Sequence, residues 1–232
     1  MKMLEEKLEK VRYSLAQMAG VSQIMLKDSI KALLNTDRDL AKNVIAKDGE
    51  VDKLDNEIED MCFKILAMYN PRAFDLRFVI SALRVTVDLE RIGDSCVNIA
   101  KQVKHLSYPV QKNFQDDINS MANAAYDMVE NSLKSFFNND VKLALQTIKR
   151  DDYIDKMNKK IITKAANHIS ENPQMAKDGV SLIYVVRNIE RIADHATNIC
   201  EFVYFKETGK SIKHTYFDNV KEILGNGENS SD

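Results

Sequence analysis

Apolar residues recur three and four positions apart along most of this chain, the spacing of one face of an α-helix. The pattern predicts six long helices, at about 3–34, 38–69, 72–106, 114–138, 141–172 and 174–206. All three prolines, Pro71, Pro109 and Pro173, fall where the pattern breaks, which is where proline is tolerated. We therefore expect an all-α fold.

The third and sixth predicted helices carry the clearest apolar stripes. The first stripe consists of Ala82, Val85, Leu89, Ile92, Cys96, Ile99, Val103 and Leu106, and the second of Leu182, Val185, Ile189, Ile192, Ala196, Ile199 and Val203. Neither helix can bury such a stripe alone, so each half should form an antiparallel three-helix bundle with short connections. We expect two tandem bundles related by a pseudo-twofold axis, at 1–107 and 108–208, and a partly disordered tail at 209–232.

A polar motif repeats at the same separation as the stripes. Glu90-Arg91-Ile92-Gly93-Asp94 returns one hundred residues later as Glu190-Arg191-Ile192-Ala193-Asp194, and each copy is followed by an asparagine, Asn98 or Asn198. The Glu, Asp and Asn of each copy share one helix face, with neighbours about 6 Å apart. Like charges in this register destabilise a helix by a few tenths of a kcal/mol. We expect a cation to offset that cost.

Turn geometry brings a second acidic pair to the first copy of the motif. Asp48 and Asp52 lie on the second predicted helix, and residues equally far from a turn lie at the same height in an antiparallel pair. With Asn70 as the turn, Asp52 and Asp48 come 18 and 22 residues before it, and Glu90 and Asp94 come 20 and 24 after it. The four carboxylates are therefore predicted to meet on the outer surface.

The second half repeats this arrangement with its own acids. With Asn172 as the turn, Asp155 and Asp151 come 17 and 21 residues before it, and Glu190 and Asp194 come 18 and 22 after it. Four converging carboxylates repel one another and raise their own pKa values unless cations lie between them. The sequence predicts a site for several metal ions on each bundle.

The ligand types narrow the choice of metal. Carboxylates, with Asn98 and Asn198 as candidate further ligands, suit iron, manganese, magnesium or calcium better than a cysteine-bound structural zinc. The Glu-x-x-His motif of ferritin-like di-iron centres is absent. His195 follows Asp194 directly and points about 100° away from it around the helix, so we expect a packing or capping role, with a contact at the rim of the site left open.

Composition and charge exclude several classes of protein. A net charge of −2 gives no reason to expect a nucleic-acid or acidic-membrane surface. No run approaches the roughly 20 apolar residues of a membrane span, and residues 1–15 are too acidic for a signal peptide, so we expect a cytoplasmic protein. Cys62, Cys96 and Cys200 lie within the apolar periodicity and are expected to be buried free thiols.

These motifs resemble those of the PhoU family of bacterial phosphate-uptake regulators. The resemblance rests on Asn70-Pro71-Arg72-Ala73-Phe74-Asp75-Leu76-Arg77, Asp88-Leu89-Glu90-Arg91-Ile92-Gly93-Asp94, Asn98-Ile99-Ala100 and Ile189-Glu190-Arg191-Ile192-Ala193-Asp194-His195-Ala196-Thr197-Asn198-Ile199. It extends over nearly the whole chain up to Tyr204. One departure is Asp178-Gly179-Val180 where the first half has Phe78-Val79-Ile80, and it is expected to loosen the sixth helix locally.

The resemblance implies a fold, a cofactor and partners. It implies two three-helix bundles, each binding a multinuclear metal cluster, most often iron, with zinc, manganese or other metals in some members. The implied ligands are Asp48, Asp52, Glu90, Asp94, Asp151, Asp155, Glu190 and Asp194. It further implies a homodimeric negative regulator that couples the ATPase subunit of the phosphate ABC transporter to the sensor histidine kinase of the phosphate-starvation genes.

Two other functions remain open at the level of sequence. Carboxylates with metals also hydrolyse phosphoesters, but the chain has no evident nucleophile, no glycine-rich phosphate loop and no lid, so we expect no catalysis. A helical adaptor with solvated acids and no metal is the third class. Arg72, Arg77, Arg91 and Arg191 either form surface salt bridges or present a partner-binding surface, and the sequence does not choose between these roles.

Overall fold

The all-α prediction is confirmed by the computed structural model, which describes residues 2–107 and 109–212. The α-helices of these residues are α1 (Lys2–Asn35), α2 (Arg38–Tyr69), α3 (Ala73–Val103), α4 (Lys112–Asn138), α5 (Val141–Ile148), α6 (Asp151–Glu171) and α7 (Ala176–Thr208). A 3-10 helix, Pro173–Met175, joins α6 to α7. The described residues contain no strand. The disorder expected for the tail beyond Ile212 lies outside the described residues.

Local signals in the sequence fix several of the helix ends. The carboxylate of Asp37 accepts hydrogen bonds from the backbone N–H groups of Asp39 and Leu40, at 3.1 and 2.9 Å, and so caps the N-terminus of α2. Asn70 ends α2 in the left-handed conformation (φ 45°), immediately before Pro71. The turn assumed for the first half is therefore where the sequence predicted it.

The helices form two layers around one continuous core. The outer layer holds α2, α3, α7 and the α5–α6 arm in that order, and α1 and α4 pack across its inner face. Helices α1–α3 form one bundle and α4–α7 the other, with their largest mutual contact between α3 and α7. The buried apolar side chains of both bundles belong to a single cluster. The acidic motifs on α3 and α7 thus lie near the middle of the molecule.

Helices α3 and α7 run antiparallel, as their polar contacts show. Arg77 Nε donates to the Lys206 carbonyl at 2.7 Å, and farther along α3 the Asp88 carboxylate lies 2.8 Å from Nδ1 of His195. Each step up α3 is therefore a step down α7. This register places Arg91 at nearly the same height as Arg191, close to the pseudo-twofold axis.

The predicted fifth helix, 141–172, is interrupted after its second turn. Arg150 N donates to Thr147 O at 2.9 Å and Tyr153 N donates to Arg150 O at 3.0 Å, which are the tighter i to i+3 bonds of a 3-10 turn. Neither glycine nor proline stands at this point, so the usual signals of a helix break are absent from the sequence there. The new start puts Asp151 in the first turn of α6.

Gly179 has a different effect from the local loosening that we expected. Helix α7 is continuous through this residue. A Cβ at Gly179 would lie 2.5 Å from Cγ1 and 2.7 Å from Cδ1 of Ile169 on α6, closer than real contacts allow. The missing side chain therefore lets α7 approach α6 closely. Next to it, the Asp178 carboxylate accepts a hydrogen bond from Ser107 N at 3.1 Å and ties the connection between the halves to α7.

The expectations for the cysteines are confirmed. Cys62, Cys96 and Cys200 are all free and buried, and burial raises the pKa of both Cys62 and Cys96 to about 12. Such thiols are inert at neutral pH. Among residues 2–107 and 109–212, no helix is long and apolar enough to cross a bilayer.

Candidate metal site

The first acid cluster lies between α2 and α3. Burial raises the pKa of Asp48, and the charges of Asp52 and Asp94 raise it further. Burial also raises the pKa of Glu90, with added repulsion from Asp94, Asp55 and Asp52. The mutual repulsion shows that the acids of the two helices lie within each other's electrostatic range, as turn geometry predicted.

Gly93 keeps the two helices close at this cluster. A Cβ on Gly93 would lie 3.5 Å from Cγ1 of Val51 and 3.7 Å from Oδ1 of Asp48. The Asp48 carboxylate therefore lies directly over the α3 backbone, one residue before Asp94. The second repeat has Ala193 at the equivalent position.

Arg91 neutralises part of the first cluster. Its Nε lies 3.3 Å from the Glu90 carboxylate and its Nη1 lies 3.2 Å from Asp94. These are exposed ion pairs, each worth under about 1 kcal/mol. For Arg91 the salt-bridge interpretation of the sequence is therefore correct. Because the pairs are weak, a stronger cation can displace the guanidinium at little cost.

The second acid cluster lies between α6 and α7 and is more strongly coupled. Burial raises the pKa of Asp151 to about 6, and Asp194, Asp155, Asp152 and Glu190 add to the shift. A carboxylate in the first turn of a helix is normally stabilised by the helix dipole, so burial and repulsion outweigh the dipole here. The second half of the chain thus contains an acid, Asp151, that is partly protonated just below neutral pH.

Asp194 shows the same effect at the surface. It is exposed, yet desolvation by the atoms around it raises its pKa to about 6, followed by repulsion from Glu190, with His195 opposing the shift. Arg187 pairs with Glu190 at 3.6 Å, the counterpart of the Arg91 pairs in the first half. A raised pKa means that the negative charge of the carboxylate is disfavoured. A cation that binds in place of the proton therefore stabilises the ionised carboxylate.

The structure brings the acids together without arranging them as a finished ligand set. Within the described ranges, no group of three or more His, Cys, Asp or Glu side chains has the geometry to hold a metal ion. Glu90 and Asp94 are instead turned toward Arg91. Metal ligation by Asp48, Asp52, Glu90 and Asp94, and by Asp151, Asp155, Glu190 and Asp194, stays a prediction. The oxygen donors present suit the hard or borderline cations named above.

Sequence reasoning missed two acids and one polar contact. Asp55 and Asp152 contribute to the clusters, and their spacing from Asp52 and Asp155 on the same helices was a visible signal.

The missed polar contact joins the two halves. Asp88, almost fully buried on α3, accepts a hydrogen bond from Asn198 Nδ2 at 3.0 Å and lies 2.8 Å from His195 Nδ1. His195 thus has the packing role predicted for it. The amide nitrogen of Asn198, a candidate metal ligand, donates to Asp88. Its counterpart in the first half, Asn98, is half-buried.

Comparison with known proteins decides the family. A sequence model described as the PhoU domain matches this chain twice, at residues 15–103 and 118–203. The chain belongs to the PhoU family. The two matches coincide with the two bundles, so the repeat seen in the acidic motifs is a repeat of the whole domain.

Similar proteins come from distant bacteria. The Thermotoga maritima "phosphate-specific transport system accessory protein PhoU homolog 1" is 34% identical over 98% of this chain and 95% of its own length. The Pseudomonas aeruginosa accessory protein PhoU homolog is 30% identical over 94% of this chain and 91% of its own.

Crystal structures of two PhoU proteins share the fold. PhoU from Pseudomonas aeruginosa superposes with a TM-score of 0.85 at 29% identity, covering 89% of this chain and 99% of the other. The phosphate transport system regulatory protein PhoU from Streptococcus pneumoniae gives 0.84 at 26% identity, covering 90% and 98%. The PhoU fold therefore extends over almost all of the described chain.

Proposed function

We propose that this protein is a cytoplasmic, metal-binding negative regulator of phosphate uptake and phosphate-starvation signalling. Its membership of a family of phosphate-transport accessory proteins supports the regulatory role. The observation that carries the metal-binding part is the convergence of acids in both halves. Burial and the repulsion of neighbouring acids raise the pKa of Asp48 and Glu90 in the first half, and that of Asp151 and Asp194 to about 6 in the second. A cluster of acids that destabilises itself is explained if a cation completes it.

The proposed ligands are the four acids of each half. Asp48, Asp52, Glu90 and Asp94 would hold metal in the first, and Asp151, Asp155, Glu190 and Asp194 in the second, with iron the leading candidate and zinc, manganese or another divalent cation as alternatives. When bound, the metal would neutralise this surface and supply positive charge that could attract an anion or an acidic side chain of a partner. Apolar packing holds the two helices of each hairpin in register, and the acids would release protons when metal binds.

We propose that the protein acts by contact rather than by catalysis. Both clusters lie on the outer layer, where exposed residues can meet a partner. The proposed partners are the ATPase subunit of the phosphate transporter and the sensor histidine kinase, with the protein acting as a homodimer. Relatives named as accessory proteins of the phosphate-specific transport system support this assignment.

A deletion strain tests the regulatory role. With phosphate plentiful, loss of the gene should switch on phosphate-starvation genes, and a plasmid copy should restore repression. A copy carrying Glu90→Ala, Asp94→Ala, Glu190→Ala and Asp194→Ala should restore it poorly, although the protein accumulates normally. Normal repression in the deletion strain would rule out the regulatory role, whatever metal the protein binds.

A further inference from the structure

Two clefts lie between α1 and α4, toward opposite ends of the contact between these helices. The first inner cleft has a volume of about 500 Å³ and is lined by residues within 26–35 of α1 and 115–126 of α4. The second inner cleft has a volume of about 410 Å³ and is lined by residues within 16–23 of α1 and 130–137 of α4. Both volumes are in the range of small-molecule sites, about 300–1,000 Å³.

The internal repeat relates the two clefts to each other. The apolar stripes of α1 and α4 align at an offset of 103 residues, from Leu15 to Ile118, and these are the first residues of the two PhoU-domain matches. At this offset Lys31 in the first inner cleft corresponds to Lys134 in the second. The fold therefore forms a cleft at both places, and the chemistry of each lining is a separate property.

Of the two clefts, only the first has two lysines on one wall and two asparagines on the other. Lys27 and Lys31 lie four residues apart on α1, and Asn119 and Asn123 lie four residues apart on α4. In the second inner cleft, the positions equivalent to Lys27 and to both asparagines hold an acid and two small residues, Glu130, Ala16 and Gly20. Forming the cleft thus does not require the polar lining of the first one.

Three of these polar groups are available to a ligand. Lys31, Asn119 and Asn123 are exposed. Within the described part of the chain, Lys31 forms no ion pair and neither asparagine side chain has a hydrogen-bond partner. An ammonium group and two amides therefore face the cleft without an internal partner to displace.

The charge in the first inner cleft is concentrated near one end. Lys27 reaches from α1 to α4, where its Nζ lies 4.3 Å from the centroid of the Tyr126 ring, and a hydrogen bond with Tyr126 raises the pKa of Lys27. Asp116 is the acid among the described lining residues, and it lies ten residues along α4 from Tyr126, about 15 Å away. The end that holds both lysines is therefore positive.

The floor of the first inner cleft favours a small ligand over a helix of a partner protein. Leu26, Ile30 and Ala122 are only 1%, 7% and 4% exposed, because packing within the fold already covers them. A helix in a groove is held mainly by burial of its apolar face, and a helix laid over this floor would cover little further apolar surface. Recognition here depends on charge and hydrogen bonding.

We propose that the first inner cleft binds a small organic anion, a phosphate ester or a carboxylate that also carries hydroxyl groups. Lys27 and Lys31 hold the anionic group through charge-assisted hydrogen bonds. Asn119 and Asn123, which each offer donors and an acceptor, bind the hydroxyl groups. Because α1 belongs to the first bundle and α4 to the second, the ligand contacts both halves. The site includes neither acid cluster, so the inference does not depend on metal.

Isothermal titration of the full-length protein with four matched probes tests the proposal. Glucose 6-phosphate and gluconate combine hydroxyl groups with a phosphate ester or a carboxylate, whereas glucose supplies only the hydroxyl groups and inorganic phosphate only the charge. At least one of the two organic anions should bind, and more tightly than glucose or inorganic phosphate. Lys31→Gln and Asn123→Ala should each weaken this binding about ten-fold, and Lys31→Arg should retain most of it.

The matched control is Lys134→Gln, the equivalent change in the second inner cleft, which should leave the affinity unchanged. All variants should keep the helical content and melting temperature of the wild type, because the substituted side chains are exposed. A variant that fails this check is replaced in the comparison by the other variant of the same cleft.

Four results would overturn the proposal. They are no binding of either organic anion, equally tight binding of glucose or inorganic phosphate, binding that survives Lys31→Gln, and an equal loss with Lys134→Gln. Titration before and after chelator treatment and dialysis separates this site from the acid clusters. The affinity should be the same in both, and its loss after chelation would place the anion on a bound metal ion and also overturn the proposal. Failure in any of these ways would leave the proposed metal sites untouched.

Discussion

At the scale of single residues, the site depends on acids that folding makes more difficult to ionise. Each carboxylate alone would be an ordinary solvated side chain. Asp151 and Asp194 become different because the turn at Asn172 returns α7 beside α6 at the same height, so that desolvation and repulsion raise both pKa values to about 6. The raised values are a property of the pair of helices, which neither motif has by itself.

The raised pKa values predict how stability depends on pH without metal. Between about pH 4 and pH 6 the native state keeps protons that the unfolded chain has lost, so stability should fall as pH rises through this window. Asp151→Asn with Asp194→Asn removes both groups and should flatten the decline. Urea unfolding of the chelator-treated proteins at pH 4, 5, 6 and 7 measures it. Equal slopes for the double variant and wild type would contradict the assignment.

The contact between Asp88, His195 and Asn198 predicts an asymmetric mutational response. Asp88→Ala leaves the Asn198 amide and the His195 ring without their buried acceptor, which should cost about 1–3 kcal/mol of unfolding free energy. Asn188→Ala is the matched control, because Asn188 is the equivalent of Asp88 in the second repeat, one hundred residues later. Its Oδ1 has no hydrogen-bond partner among the described residues. The control should cost clearly less by urea denaturation. A larger loss for Asn188→Ala would show that the contact does not join the halves as described.

At the scale of elements, the sequence predicted most of the helices because apolar spacing and caps act locally. Helix α2 begins and ends within a residue of the expectation. Asp37 sets its start, and Asn70 and Pro71 set its end. The break at Lys149 and Arg150 was not predicted, because neither glycine nor proline marks it in the sequence. The effect of Gly179 was wrongly predicted because it depends on Ile169, which lies on another helix.

Two glycines within helices should therefore respond to alanine with opposite signs. Gly179→Ala places a methyl group 2.5 Å from Ile169 Cγ1, so α6 and α7 must separate or Ile169 must move, at about 1–3 kcal/mol. Gly20→Ala meets nothing within 4 Å and should stabilise α1 by about 0.5–1 kcal/mol, because alanine is the better helix former. Thermal melting of both variants gives the comparison. A stabilised Gly179→Ala protein would mean that α6 and α7 do not pack this closely.

At the scale of the whole molecule, the two repeats form one body. Their apolar residues make a single core and α3 packs along α7, although the sequence gives each repeat its own stripe. The candidate sites follow from this arrangement, because the two acid clusters flank the central α3–α7 pair. The positions of the acids along their helices were predictable from the turns. The Asp88 contact was not, because the sequence of one repeat does not indicate how the two repeats pack against each other.

The shared core predicts cooperative unfolding. The bundles should lose helical content and tertiary packing in one transition, since separating them exposes apolar surface of both. Circular dichroism and the fluorescence of a label at an exposed site on each half should give superimposable urea curves. Two separated transitions would show that the bundles are independently stable.

The most direct test of the central claim is the metal content of protein purified without chelator and reloaded with iron, manganese or zinc, measured by mass spectrometry of the elements. The account predicts metal bound in both halves of the wild-type protein. It predicts loss of that metal in the variant Glu90→Ala, Asp94→Ala, Glu190→Ala and Asp194→Ala, with helical content unchanged, because the apolar core and not these acids holds the helices together. Asp60→Ala, an outward acid on α2 that pairs with Lys64, should keep the full metal content. A wild-type protein that binds no metal, or a quadruple variant that binds as much as wild type, would contradict the account.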